Sequence, residues 1–289
     1  MITDQDLPGL YRAADKASLD AQRAYYLCLM SYLILLVCAA GVTFWLSVFV
    51  AGAIISAVLF LLTLGILIAL RVTRPDDVWY NGRAVAESVK TRAWRWIMCA
   101  EPYEENDPTI VSKQFINDLK AILKQNRTLA GKLPTKEYIK EPITERMKEV
   151  RAMSIGDRLN IYKTGRIQNQ ADWYSRKAIF NKRRSHLWFW ISVVLHAAAI
   201  IMLLLRIRTP SLSLPITVVA TAASAVLTWL QAKKHNELSS SYSLTAHEIV
   251  LIKGEAISIN NEKQLSDFVL DTESAFSREH TQWVARKND

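Results

Sequence analysis

The sequence predicts an all-α integral membrane protein: two transmembrane helical hairpins, four spans in all, with a cytoplasmic helical bundle. Three observations carry that reading. From Tyr26 to Leu70, 45 consecutive residues include no Asp, Glu, Lys, Arg, His, Asn, Gln or Pro. As one helix they would run about 67 Å, roughly twice the ~30 Å hydrocarbon core of a bilayer, so two spans and a tight turn fit better than one. A second stretch, Leu187–Gln231, repeats the design, with Arg206-Ile-Arg-Thr-Pro-Ser211 between two apolar runs. Outside these runs the chain is dense with charge. The alternative is a hairpin buried in a soluble bundle. It requires helices that are apolar on every face, which is unusual outside a membrane.

In chain order, residues 1–25 read as a cytoplasmic lead-in helix, with Leu10, Ala13, Ala17 and Ala21 at helical spacing. Spans are expected near Leu27–Phe44 and Val50–Leu70. Trp45 and Phe49 of the uncharged turn suit an interfacial level. Pro75 with Asp76 and Asp77 marks a break and a helix start. The helix through Trp79–Trp96 places Arg83, Glu87 and Lys90 on one face and Val85, Val89 and Trp96 on another. Asp107-Pro108 is an N-cap with proline at the first helical position. It opens an amphipathic helix with Val111, Phe115, Leu119, Ile122 and Leu123 on its apolar side. A loop is expected from Gly131 to Pro142. Helix then resumes at Ile143 and runs, with a break at Gly156, into the third span near Leu187–Leu205. The fourth span, near Leu212–Gln231, is capped by Pro215 and continues as a stalk to Ser258. Asn260-Asn261 turns the chain into a last helix over Lys263–Arg286. No strand pattern competes with these helices.

The net charge of +9 is unevenly spread: Arg71–His186 holds 24 Lys and Arg against 14 Asp and Glu, and the two ends are near neutral. Basic residues flank the spans at Arg71, Arg74, Lys182-Arg183-Arg184 and Lys233-Lys234, and the first turn has none. By the positive-inside rule both termini and the middle segment are expected in the cytoplasm, with anionic headgroups as an added attraction. No base-reading motif accompanies the charge, so nucleic acid is not an expected partner. Met1–Arg23 is polar and of mixed charge, unlike a cleavable signal peptide. Cys28, Cys38 and Cys99 share no metal-ligand spacing and suit a reducing compartment. The sequon at Asn126 is read as accidental.

Few residues suggest chemistry. Thr217, Thr221, Ser224, Thr228 and Gln231 fall at i, i+4, i+7, i+11 and i+14, one stripe of the fourth span. Two readings stand. Their hydroxyls can bond their own i−4 carbonyls while Ala220, Ala223 and Ala225 let helices approach, or the stripe can line a pore or an oligomer contact. His196 lies well inside a span, where charging it is costly. A neutral histidine bonded to a neighbouring helix is the simpler reading, and a proton- or ion-responsive site the sharper one. Gly52 and Ser56 form a small-xxx-small pair suited to close helix contact. Arg83, Glu87 and Lys90 are candidates to pair with Glu273 and Glu279 of the last helix as a cytoplasmic cluster that a signal would disturb; a solvated face is the alternative. No phosphate loop, zinc spacing or nucleophile motif is present, so no catalytic, cofactor-binding or metal-binding residues are assigned and an enzyme is not expected.

The halves resemble each other. Gln22-Arg-Ala-Tyr25-Tyr26 precedes the first span and Gln170-Ala-Asp-Trp173-Tyr174 the third, which with the repeated hairpins indicates internal duplication. Three sets of residues also carry a resemblance to a known family: Trp79-Tyr80, Arg83-Ala-Val-Ala-Glu87-Ser88, Lys90 and Trp94; Arg166-Ile-Gln-Asn-Gln170 with Trp173-Tyr174; and Glu273, Ser277-Arg-Glu279-His280 and Trp283. In these the chain resembles the SLATT group of bacterial proteins, the SMODS- and SLOG-associating two-TM effectors, as two tandem modules over 1–150 and 151–289. The resemblance implies a homo-oligomeric effector of the bacterial inner membrane that forms a pore or perturbs the bilayer in an antiphage or other conflict response. It also implies a nucleotide signal or a nucleotide-sensing protein as partner. It supplies no catalytic residues. A non-conducting membrane scaffold or sensor that recruits a cytoplasmic partner is the alternative. A small transporter is disfavoured by the scarcity of intramembrane charge.

Overall fold

A computed structural model describes residues 2–134, 141–256 and 259–285, with side chains as far as Ser277. No strand occurs among them. The helices are α1 (Gly9–Trp45), α2 (Val50–Thr73), α3 (Pro75–Ile97), α4 (Pro108–Gln125), α5 (Arg127–Ala130), α6 (Glu145–Arg151), α7 (Ile155–Tyr162), a π-helical stretch (Lys163–Gln168), α8 (Asn169–Arg208), α9 (Ile216–Lys233), α10 (His235–Glu255) and α11 (Glu262–Ala285). Among the described residues four helical stretches are long and apolar enough to cross a membrane, and the chain is a multi-pass membrane protein. It forms two compact units, each drawing on both halves of the sequence.

The apolar unit comprises Arg23–Arg74 and Arg176–Ser243. Its packing is inverted relative to a water-soluble protein. Ala39, Gly52, Ser56, Thr63, Ser192 and Ala223 are buried, while Ile54, Phe60, Leu61, Trp190, Val194 and Leu204 point outward. Lipid tails are as apolar as leucine, so large side chains gain nothing by leaving them, and small residues at the contacts let backbones approach. The first turn is as tight as the sequence requires: Leu46 N–H bonds Val42 O at 2.9 Å and Gly52 N–H bonds Phe49 O at 2.9 Å. Thr43 and Ser56 hydroxyls meet across the hairpin at 3.2 Å. Gly52 has a more specific duty than a generic small-residue contact, because a Cβ there would lie 2.2 Å from the Leu46 carbonyl oxygen.

The polar unit takes its described residues from Met1–Gln22, Pro75–Ser175 and Leu244–Asp289. α3 is its spine. Val85, Ala86, Val89, Ala93, Trp94 and Trp96 are all buried. The early turns of α1 cross it where Gly82 has no side chain; a Cβ there would meet the Ala14 oxygen at 3.0 Å. Ser18 Oγ donates to the Trp79 carbonyl at 2.9 Å in the same crossing. α4 opens as its Asp-Pro signal predicts, with Asp107 Oδ1 accepting from Thr109 N–H at 2.7 Å. Its Phe115 packs on Trp96 and Tyr103. The Arg151 and Arg158 guanidiniums donate to the carbonyls of Trp96 and Met98 at the end of α3, where a helix leaves acceptors unpaired.

Several expected boundaries shift. The lead-in and the first span are one unbroken helix, because nothing between Gly9 and Trp45 caps or breaks it. The break before the third span falls at Ser154, whose hydroxyl caps α7, and Gly156 lies inside the helix. The fourth span does not continue into its stalk. Lys234 adopts a left-handed conformation (φ 48°), and its N–H bonds Leu230 O at 3.0 Å. Arg74 does the same after the second span (φ 44°, N–H to Leu70 O at 3.0 Å). A basic residue in this conformation thus closes the second helix of each hairpin, satisfying a late carbonyl while favouring the negative end of the helix. This repeat is positional. Part of the expected Gly131–Pro142 loop, 135–140, and Arg286 lie outside the described residues.

Candidate functional site

Among the described residues, the most enclosed polar group joins α3, α11 and the π-helical stretch. Arg166 and Glu273 are 1% and 0% exposed and form a two-pronged pair: Nε to Oε1 at 2.9 Å and a terminal nitrogen to Oε2 at 2.8 Å. Tyr162 O–H donates to Glu273 Oε1 at 2.9 Å, and Thr91 O–H to Oε2 at 3.0 Å. The carboxylate therefore accepts four hydrogen bonds, as a buried charge requires. The Arg166 guanidinium also lies over the Phe276 ring at 4.8 Å.

Local structure explains how Arg166 reaches inward. A π-helical turn carries one residue more than an α-turn and commonly marks functional sites. Here it brings Tyr162 and Ile167, five apart, to the buried side with Arg166 between them. Burial pulls the Arg166 pKa down, but Glu273, then Glu87 and Tyr162, more than reverse this, and the guanidinium is held above its ordinary value. Burial and then Glu273 push the Tyr162 hydroxyl well up. Tyr162 is thus a donor that keeps its proton and Arg166 a fixed cation.

A second, more open cluster lies along the same spine. Arg83 pairs with Glu87 at 2.6 Å and Asp15 at 3.4 Å, and stands over Trp173 at 6.0 Å. Lys90 bonds Asp4 at 3.0 Å and lies over the Tyr11 ring at 5.1 Å. The expected partnership is therefore corrected. Arg83 and Lys90 pair with acids of the N-terminal arm rather than with the last helix, because α1 crosses α3 at that level. Glu273 pairs with Arg166 instead. Glu279 lies outside the residues whose side chains are described. The two clusters remain coupled electrostatically, since Glu87 acts on Arg166. Sequence reasoning did not select Arg166 as a site residue; its presence in the Arg166–Gln170 motif was the available signal, but nothing in the chain order joins it to a residue 107 positions away.

In the apolar unit the polar stripe of α9 is mostly on the outside: Thr217, Ser224, Thr228 and Gln231 are exposed and Thr221 half-buried. Thr221 O–H donates to Thr217 O at 2.8 Å and Thr228 O–H to Ser224 O at 2.9 Å. His196 is also exposed, and the expected bond to a neighbouring helix is not made; Nδ1 lies 2.7 Å from Ser192 O on its own helix. Near the end of α9, Lys233 Nζ sits 3.2 Å from the Tyr26 ring centroid and 4.9 Å from that of Trp229, and the Trp188 and Trp229 ring centroids are 6.2 Å apart. Among the described residues no three His, Cys, Asp or Glu gather to hold a metal.

Beside that aromatic group, His235 is buried with Nδ1 2.7 Å from Asn181 Oδ1. Asn181 Nδ2 donates to the Lys177 carbonyl, so Oδ1 is the atom facing the ring and Nδ1 must carry the proton. Burial first, then Lys233 and Arg184, lower the His235 pKa. The unfolded chain consequently takes up this proton before the folded one does. The contribution is intact above the ordinary histidine pKa and is lost as pH falls through the lowered folded value. Thermal unfolding of the full chain in detergent should show a loss of stability as pH falls below ~6.5 that is smaller in His235→Gln. An unchanged pH dependence in that variant would remove His235 as the cause.

Two family matches cover nearly all of the chain. Residues 8–159 match the SMODS and SLOG-associating 2TM effector domain 3, and residues 162–283 match the SMODS and SLOG-associating 2TM effector domain 1. No curated protein and no solved structure matches the chain.

Proposed function

From a chain that belongs to the SMODS and SLOG-associating 2TM effector family, and carries two of its modules in tandem, we propose an effector that oligomerises and permeabilises the bacterial inner membrane in a defence or conflict response. Both termini and the polar unit then lie in the cytoplasm, where a nucleotide or a nucleotide-sensing protein supplies the signal. Its output is physical, a breach of the bilayer, rather than a reaction.

The observation that carries this reading is the outer face of α9. A row of Thr217, Ser224, Thr228 and Gln231 is exposed in a helix that is otherwise apolar. A single chain leaves that row against lipid, whereas copies assembled through α9 would turn it toward one another or toward water. The open cluster around Arg83 is the reading's input, because partly exposed ion pairs are weak and a phosphate can compete for the cation.

Induced expression in bacteria should depolarise the membrane or admit an impermeant dye when the genomic neighbours are present. Thr221→Leu/Ser224→Leu should insert normally and abolish that leakage. Leakage at the unaltered rate would remove the stripe from the pathway. A second reading, a non-conducting scaffold or sensor, is favoured by one observation: the Thr221 and Thr228 hydroxyls are already bonded to their own helix and need no water. An intact membrane under every condition, with the protein inserted, would select it.

A further inference from the structure

The anomaly lies on α10. In the polar unit its inner face is packed: Thr245 and Ile249 are 6% and 1% exposed. Its outer face is apolar too. Leu244, Val250 and Leu251 are 62%, 60% and 72% exposed. A helix in the charged part of a chain ordinarily wets one face, and one apolar on two faces has a second surface to cover.

The spacing of the outer residues fits a partner helix. Leu244 and Leu251 are seven apart, and His247 lies between them, three beyond the first leucine. Together they form a heptad seam with leucine at both a positions and histidine at the first d (the second d, Gly254, has no side chain), flanked by Val250 at g and Glu248 and Glu255 at e. The six side chains are exposed.

Two occupants are available, the membrane surface and another protein helix, and the charges separate them. A helix lying on a bilayer surface flanks its apolar face with Lys and Arg. This face is flanked by two carboxylates instead. The nearby Lys253 ammonium is held on Gln168 Oε1 at 2.5 Å. Anionic headgroups would be repelled.

We infer that the outer face of α10 is a self-association seam, where a second copy of this chain pairs through Leu244, His247 and Leu251. The inference rests on the oligomeric reading above and names its contact outside the bilayer. Copies inserted in one membrane share an orientation, so their α10 helices meet in parallel. In a parallel pair each e position faces a g position of the other helix. Glu248 then meets the partner's Ser243, and Glu255 the partner's Val250, with no like charges opposed. The d-position His247 lies beside the partner's Glu248, a complementary contact. Two heptads bury less than a stable dimer needs in free solution, about 1,000 Å² or more. Anchoring both copies in one membrane raises their effective concentration, and the helix is already formed, so less ordering opposes pairing.

Cysteine trapping in membranes tests this on the full chain. Facing a positions of a parallel pair lie within disulfide reach, and outward c positions do not. Leu251→Cys and Leu244→Cys should each give an oxidant-dependent covalent dimer at least about tenfold faster than Lys253→Cys, with the unaltered chain and its three native cysteines as background. Equal rates at positions 251 and 253 would overturn the seam. Light scattering of the solubilised protein separates the two readings. An oligomer that Leu251→Cys fails to trap retains the oligomeric reading and rejects the seam. A monomer without trapping rejects both.

Discussion

Glu273→Leu should lower the stability of the full chain by about 3–5 kcal/mol, because it strands Arg166 as a buried cation with no counter-charge. The loss reaches beyond one pair. Glu273 accepts from Arg166, Tyr162 and Thr91 together, so one carboxylate ties α11 to the π-helical stretch and to α3. Removing it also leaves the Tyr162 O–H, itself buried, without its acceptor. The double variant Arg166→Met/Glu273→Leu removes both charges and should recover most of the loss, since apolar side chains of similar volume commonly replace a buried ion pair at little cost. Thermal unfolding in detergent reads both variants. For scale, the exposed Lys148–Glu145 pair should contribute little, because both groups stay solvated. If Glu273→Leu costs no more than removing that surface pair, the buried group does not hold the polar unit together. If the double variant is as unstable as the single one, packing rather than charge is the cause.

Gly52→Ala should prevent the first hairpin from closing, at a cost of about 3 kcal/mol or more. The new methyl would stand 2.2 Å from the Leu46 carbonyl oxygen and 2.6 Å from Leu46 Cβ. One of these neighbours is backbone, held in the turn by the bonds among Val42, Leu46, Phe49 and Gly52, and cannot rotate away. Gly65 in the same helix is the matched control, with nothing within 4 Å of an added Cβ. Gly65→Ala should be neutral or stabilise by up to about 1 kcal/mol, because alanine is the better helix former. Protease protection of the hairpin after membrane insertion distinguishes the two. Equal protection of both variants would mean that the turn opens to accept the methyl.

The α9 stripe and the α10 face both carry heptad spacing, and each interrupts the character of its surroundings. For α9 the interruption is polar side chains among apolar ones; for α10 it is leucine among polar ones. The first belongs to the proposed leakage pathway and the second to the proposed contact between copies. Their tests are independent, one read by dye entry and the other by cross-linking.

Composition and spacing alone determined the four membrane helices, the two hairpins, the first tight turn, the Pro75 start of α3 and the Asp107 cap; the family was legible only as a resemblance, in motifs such as Arg166–Gln170. These are properties of contiguous residues: a run without charge, a proline at the first helical position, an aspartate that caps its own helix. The tertiary structure alone decided the pairing of Arg166 with Glu273, the partners of Arg83 and Lys90, the left-handed closures at Arg74 and Lys234, and the exposure of Leu244 and Leu251. Each depends on which helices lie side by side. Arg83 on α3 was legible as a charged face, but its acid is Asp15, because α1 crosses at Gly82. The bond to a neighbouring helix expected of His196 gives way to one with the Ser192 carbonyl, one turn back on its own helix. Local periodicity fixes which face of a helix is apolar. It does not fix what that face meets, since that is set by packing among elements far apart in the chain.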